Sequence, residues 1–488
     1  MATAASAATA PAVRLPVVIQ GGMGVAVSDW RLARAVSLTG QLGVVSGTAV
    51  DVLLTRRLQS GDPGGHVRRA LAAFPRPEVA RWILDSYFVE GGISAEARYA
   101  QVPRHTFASS VRLQGLTVAA GFAEVFLAKE GHDGMVGINF LRKIELPLPA
   151  TLYGAILAGV DFVLVGAGSP ADIPGLVRSL VRHEAVSVAV RIMGARSDDA
   201  VPELTFDPAT VLPQRPATLP APRVLAIVAS MDLARGLAES PSARPDGFIV
   251  EGASAGGHNA PPRGPRRVDE IGQPVYDERD EVDVADILTL GLPVWLAGGY
   301  ADPEKVREAL ALGATGVQVG TLFAYSDESG FDEGLKSQLR ERAVAGDLQV
   351  RADWRVSPTG FPFRVADIPG TLTDITVREA RKPVCDLGAL RTAYLRSDGE
   401  VDFRCPAEPL AQYVRKGGRE MNTEGRLCLC NALFASAGYP QRRPGGAVEA
   451  PLVSSGTDLE PVIHLIGASA GSGYRAADAV AHLMSRVS

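Results

Sequence analysis

Short apolar runs alternate with amphipathic stretches through most of the first 325 residues. The apolar runs Val17–Gln20, Gly43–Ser46, Val136–Phe140, Phe162–Gly166, Val224–Ala229, Phe248–Glu251, Val294–Ala297 and Gly316–Val319 are short and mostly rich in Val, Ile, Leu or Phe. Runs of that kind are expected of parallel strands buried on both faces. Stretches with helical spacing lie between several of them, as at Ser28–Leu38, Asp172–His183 and Asp302–Leu312. Ser28 reads as an N-cap, and Asp302-Pro303-Glu304 reads as an N-cap followed by a first-turn proline and acid. Strands alternating with helices predict an α/β fold, and a count of eight favours a closed (β/α)8 TIM barrel over an open sheet.

Two stretches break the alternation. Residues 51–135 separate the second and third strands and carry helical patterns, for example His66–Phe74 and Glu78–Tyr87. That is too long for a plain strand-to-helix connection, so it reads as an inserted helical subdomain after strand 2. Val186–Met193 is an extra strand, followed by a Pro-rich stretch to Pro222, and fits either the barrel or a side hairpin. The expected organisation is a tail over 1–14, a barrel over 15–50 and 136–345, the insertion over 51–135, and a cysteine-bearing C-terminal extension over 346–488. No solenoid-length repeat is visible.

The 488 residues allow roughly three domains, or one barrel of about 250 residues with large additions. The 49 basic and 54 acidic side chains leave a net charge of −5, so bulk electrostatics point to neither nucleic acid nor membrane. No uncharged apolar run approaches the roughly 18 residues of a spanning helix. Met1–Ala12 lacks the basic and bulky apolar parts of a signal peptide and reads as a tail. The expectation is a cytoplasmic enzyme; the sequence carries no mark of its oligomeric state. Four cysteines, Cys385, Cys405, Cys428 and Cys430, are too few for a disulfide framework in a chain of this length. The Cys-Leu-Cys spacing is tighter than a zinc knuckle, so reduced structural thiols are expected and no metal site is assigned.

The most informative segment is Gly247–His258, in which a buried strand ends at Glu251 and a glycine-rich turn delivers a histidine. Glycines allow backbone N–H groups to approach a ligand closely. The carboxyl ends of barrel strands are where active sites sit. His258 there can serve as a general base near neutral pH. Gly298, Gly299, Gly320 and Thr321 follow the seventh and eighth strands, where many barrels bind phosphate. A second Gly-Gly-His at Gly64–His66 follows no strand and reads as a loop and helix start. The run Ile466–Gly473 imitates a dinucleotide loop, but the chain has no room after it for the βαβ unit that loop serves. Pro261–Arg267 is either a solvated loop or a basic rim for a phosphate-bearing substrate.

Gln20-Gly-Gly-Met23, Gly137-Ile-Asn139, Gly166-Ala-Gly168, Glu251 through His258, Ala297-Gly-Gly299 and Gly316–Thr321 occur in one order. Together they resemble the nitronate monooxygenase (2-nitropropane dioxygenase-like) family, which includes flavin-dependent enoyl-acyl-carrier-protein reductases. The resemblance covers roughly residues 15–325. It implies a non-covalent FMN, with Gly22 and Met23 lining the isoalloxazine and Asn139 and Gln318 bonding the flavin. Gly256, Gly257, Gly298, Gly299, Gly320 and Thr321 would hold the ribityl phosphate region, and Glu251 is a further contact. His258 matches the family's active-site histidine. The first expectation is a nitronate-like or other acidic C–H substrate oxidised with O2, His258 taking the proton. The second is an NAD(P)H-dependent enoyl reductase acting on a carrier- or CoA-bound substrate. A third, of another class, is a non-catalytic flavin-binding partner subunit, which the intact histidine disfavours.

Overall fold

The computed structural model describes residues 15–196, 199–214, 217–469 and 473–487. The tail over 1–14 and residues 470–472 of the dinucleotide-like run lie outside these. Eight parallel strands form the central sheet: β1 Val18–Gln20, β2 Gly43–Ser46, β3 Val136–Leu141, β4 Phe162–Gly166, β5 Arg223–Val228, β6 Gly247–Glu251, β7 Val294–Ala297 and β8 Gly316–Val319. From β2 to β8 each pairs with the next, and β8 pairs with β1. A parallel bridge between Ile19 and Leu42 joins the remaining edges, so the sheet closes as the expected (β/α)8 barrel. Ile19, Val44, Phe162, Leu164, Leu225, Ile249 and Trp295 fill its interior. Wholly buried Trp295 donates its indole N–H to the Pro16 carbonyl at 2.8 Å, tying the chain entering β1 to β7.

Helix α1, Trp30–Ser37, is capped by Asp29, which accepts from the N–H groups of Arg31 and Leu32. Ser28 is therefore not the cap. Its hydroxyl accepts from Met23 N and Gln20 Nε2 and donates to the Gly21 carbonyl, holding the turn after β1. That turn offers Ser28 more partners than a helix end does. The last of these helices, Pro303–Ala311, does begin with an Asp302 cap on Glu304 N–H.

The stretch between β2 and β3 is helical at Val50–Gln59, His66–Ala73, Pro77–Tyr87 and α2, Val111–Lys129. Helix α2 packs on α1, β3 and the following helix α3, Leu148–Leu157, and so occupies a place in the barrel's outer ring. Glycines set that contact: a Cβ on Gly154 would lie 2.0 Å from the Val118 carbonyl oxygen, and one on Gly121 2.4 Å from that of Thr151. Among the described residues, α2 alone has the length and apolarity of a membrane-crossing helix; 78% of its most apolar window is buried in the protein. The chain's last helix, Ala476–Met484, packs on α1 and Pro303–Ala311. The segments over 51–135 and 346–488 thus each contribute a helix to the ring.

Val186–Val188 pairs antiparallel with Leu204–Phe206, and Ile192–Met193 pairs with Thr392–Leu395. The extra strand belongs to side sheets and not to the barrel. Val462–Leu465 lies inside the helix Glu460–Ala468, so the dinucleotide-like run begins within a helix and follows no strand.

Buried Arg57 joins three helices by pairing with Asp29 at the start of α1 and with Glu124 of α2. Glu124 also accepts from Trp30 N–H at 3.2 Å, while burial pushes its carboxyl above the usual range. Arg57→Met would leave buried Glu124 without its cation and buried Asp29 with only the half-exposed Arg31. It is expected to cost about 3–5 kcal/mol in a denaturant titration, whereas a surface change such as Arg69→Met is expected to cost under about 1 kcal/mol.

Candidate functional site

Because the strands are parallel, all eight carboxyl ends open on one rim, and the chain beyond each end forms a cavity of about 1210 Å3. His258, Gly22, Met23, Asn139, Glu251, Gly256, Gly257, Gly298, Gly299, Gln318, Gly320 and Thr321 all line it. Asn139 Nδ2 donates to the Gly22 carbonyl at 3.1 Å; a Cβ on Gly22 would fall 2.2 Å from Asn139 Cβ. Gly298 and Gly299 have φ of +89° and +81°, a backbone that side-chain-bearing residues rarely adopt. Gln318 presents Oε1 to the cavity wall, buried and with no hydrogen-bond partner among the described residues. A buried amide oxygen left unpaired is costly, so a ligand donor is expected opposite it. The glycine-lined turns and the unpaired amide fit a flavin.

His258 lies on the two-residue strand Gly257–His258, which pairs antiparallel with a strand of the extension. The extension forms β9, Val350–Asp353, and β10, Phe363–Ala366; His258 is opposite Phe363, with ring centroids 4.8 Å apart. His258 Nε2 is hydrogen-bonded to Ser357 Oγ at 2.6 Å, and Thr359 Oγ1 lies 3.4 Å away. Desolvation, with the nearby Lys143 charge, holds the imidazole well below its usual pKa, so it is neutral at neutral pH. This weakens it as a base.

Lys143 was not singled out by sequence, although it stands two residues beyond β3, at the rim where functional groups collect. Its Nζ sits 3.5 Å from the centroid of the Phe361 ring. Burial lowers its pKa to about 7, and burial raises that of Glu251 to about 7, each opposed by the charge of the other. Three proton-carrying groups therefore share the cavity. The extension adds Ser455 and Gly456, whose N–H donates to Thr321 Oγ1 at 2.8 Å, beside Gly256. Nothing in the linear sequence marks Ser357 or Gly456, since their partners lie about a hundred or more residues away.

Residues 214–353 match the family model for nitronate monooxygenase. That stretch is similar to the nitronate monooxygenase family. The chain is 34% identical over 169 residues to a nitronate monooxygenase of Pseudomonas aeruginosa, covering 32% of this chain and 43% of that one. It is 30% identical over 120 residues to a (3aS,4S,5R,7aS)-5-hydroxy-7a-methyl-1-oxo-octahydro-1H-indene-4-carboxyl-CoA dehydrogenase of Rhodococcus jostii, covering 25% and 28%. The matched stretches thus span less than half of either relative. Among solved structures, FabK from Thermotoga maritima aligns over 96% of this chain and 92% of its own, with 18% identity and a TM-score of 0.45. The nitronate monooxygenase segment holds Glu251, His258 and the Gly298 and Gly320 turns; Asn139, Lys143 and Ser357 fall outside it.

The loop Pro261–Arg267 is largely engaged elsewhere. Arg267 pairs with Asp277, Arg266 stacks over Trp354, and the Arg263 guanidinium donates to the Arg279 and Ala229 carbonyls. The second Gly-Gly-His does begin a helix, its His66 ring against Trp30. The four cysteines gather around Ala407, with burial raising each thiol pKa. Among the described residues, no three His, Cys, Asp or Glu side chains are placed to hold a metal.

The purified protein is expected to carry a flavin that is released on denaturation. Gln318→Leu should weaken its binding by about two- to tenfold, the worth of one hydrogen bond. Fluorescence titration of the stripped protein reads that change, and equal affinity would remove Gln318 from the flavin site.

Proposed function

We propose that this protein is an FMN-dependent oxidoreductase that reduces an α,β-unsaturated acyl group borne on a larger carrier, with NAD(P)H as electron source. The cavity carries this reading. At about 1210 Å3 it exceeds the roughly 300–1,000 Å3 of ordinary ligand pockets, leaving room for a long substrate beside a flavin. Gly22, Met23, Asn139 and Gln318 would meet the ring system; Gly256, Gly257, Gly298, Gly299, Gly320 and Thr321 would meet the ribityl phosphate. Bound FMN supplies two-electron transfer.

The chain's own groups then manage the proton. Lys143, as the ammonium, gives one from Nζ to the α-carbon of a substrate that has accepted a hydride at its β-carbon. Glu251, protonated below about pH 7, returns a proton to the amine. Neutral His258, steadied by Ser357, orients the acyl group by hydrogen bonding. The Phe361 and Phe363 walls exclude water and keep these groups close to neutrality.

A second reading is nitronate oxidation with O2, His258 acting as base. The likeness to the Pseudomonas aeruginosa enzyme favours it. Anaerobic stopped-flow mixing separates the two. Bleaching of the flavin by NADPH or NADH, followed by reoxidation with an enoyl thioester, is expected. Bleaching by a nitronate but by neither nucleotide would replace the first reading with the second.

Lys143→Met is expected to slow enoyl turnover by about 10²–10⁴-fold. In the unaltered protein the rate should fall as pH rises through about 7, where the ammonium loses its proton. That alkaline limb should disappear in Lys143→Met, and an unchanged rate and profile would exclude Lys143 as the donor.

A further inference from the structure

Beyond the barrel rim, the same cavity is walled by residues 102–105 and 387–393 and by Phe403. Two arginines stand side by side there. Arg391 donates Nε to the Gly388 carbonyl at 3.0 Å and a terminal N–H to the His105 carbonyl at 2.9 Å, with its guanidinium 4.7 Å from the Phe403 ring centroid. Arg104 is exposed at the cavity edge and, among the described residues, hydrogen-bonds only the Cys385 carbonyl, at 3.4 Å. Gly388 makes room for both, since a Cβ there would come within 2.6 Å of Arg391 Nε and 2.9 Å of Arg104 Cδ.

Neither guanidinium has an ion-pair partner among the described residues. The nearby Asp51 carboxylate is bound to His105 at 2.8 Å. Arg142, which lines the same cavity, is by contrast paired with Asp172 at 3.2 Å and Glu145 at 3.4 Å. Burial, and after it the Arg104 charge, lowers the Arg391 pKa, with the Cys385 and Asp402 groups opposing. Such a pair costs free energy until an anion arrives, and forked guanidiniums suit the oxygens of a phosphate.

We propose that Arg104 and Arg391 form an anion subsite that grips the phosphate ester of a substrate or co-substrate lying along the cavity. The inference rests on the reading above only in placing the reactive end of that molecule near His258 and Lys143. The phosphate comes either from a phosphopantetheine arm or from the 2′-phosphate of a nicotinamide dinucleotide. Binding need not involve turnover, so the two ideas fail separately.

Calorimetric titration of the FMN-loaded full chain tests it with two probe pairs, 4′-phosphopantetheine against pantetheine and NADPH against NADH. In at least one pair the phosphate-bearing probe is expected to bind about tenfold or more tightly than its counterpart, as charged hydrogen bonds warrant. Arg104→Ala, at an exposed position where folding is not at stake, should cut that preference to about threefold or less. Arg391→Lys, which keeps the charge and loses the fork, should reduce it less. The pair that responds identifies the source. No preference in either pair, or one that survives Arg104→Ala unchanged, overturns the subsite.

Discussion

Closure of the parallel sheet is the constraint on which everything else depends. Pairing of β1 with β8 and the Ile19–Leu42 bridge leave the eight strands no free edge, and the Trp295 indole fastens the chain entering the first strand. Parallel closure sends every carboxyl end to the same rim. The turns after β1, β6, β7 and β8 must then meet, although they are drawn from positions three hundred residues apart. The additions between strands and after the barrel have one place from which to influence chemistry, and it is that rim.

At the rim, the dominant electrostatic influence is desolvation. Lys143, Glu251 and His258 are half-buried in a cavity whose walls include Phe361, Phe363 and other parts of the extension. Burial pushes each toward its neutral form, lowering the amine and imidazole and raising the carboxyl. Mutual attraction between Lys143 and Glu251 opposes the shift without cancelling it. The result is an amine and a carboxyl poised near neutrality, where a proton can be held or released at small cost.

The strands were legible in the sequence because burial on both faces leaves nearly continuous apolar runs. The glycine turns and His258 were legible because function follows strand ends in this architecture. Lys143 obeys the same rule and was overlooked, as no glycine or motif drew attention to it. Ser357, Phe363, Arg104 and Arg391 follow no such rule, since each joins the site through a contact with a distant segment. The sequence left the basic loop over 261–267 open between two readings for a related reason: clustered charge in sequence says nothing about the Asp277, Trp354 and carbonyl partners that take it up. Ser28 and Asp29 are both good caps, and tertiary demand from Gly21 and Met23 decided between them.

The pairing of His258 with β10 divides responsibility for the site. The stretch that matches nitronate monooxygenase ends at Asp353, the last residue of β9. Ser357 and Phe363, which hold and desolvate the histidine, come just after it. The imidazole is thus supplied by one part of the chain, while its basicity is set by another. Exchanging a short loop and strand outside the barrel would retune the acid–base behaviour of the site without altering a barrel residue.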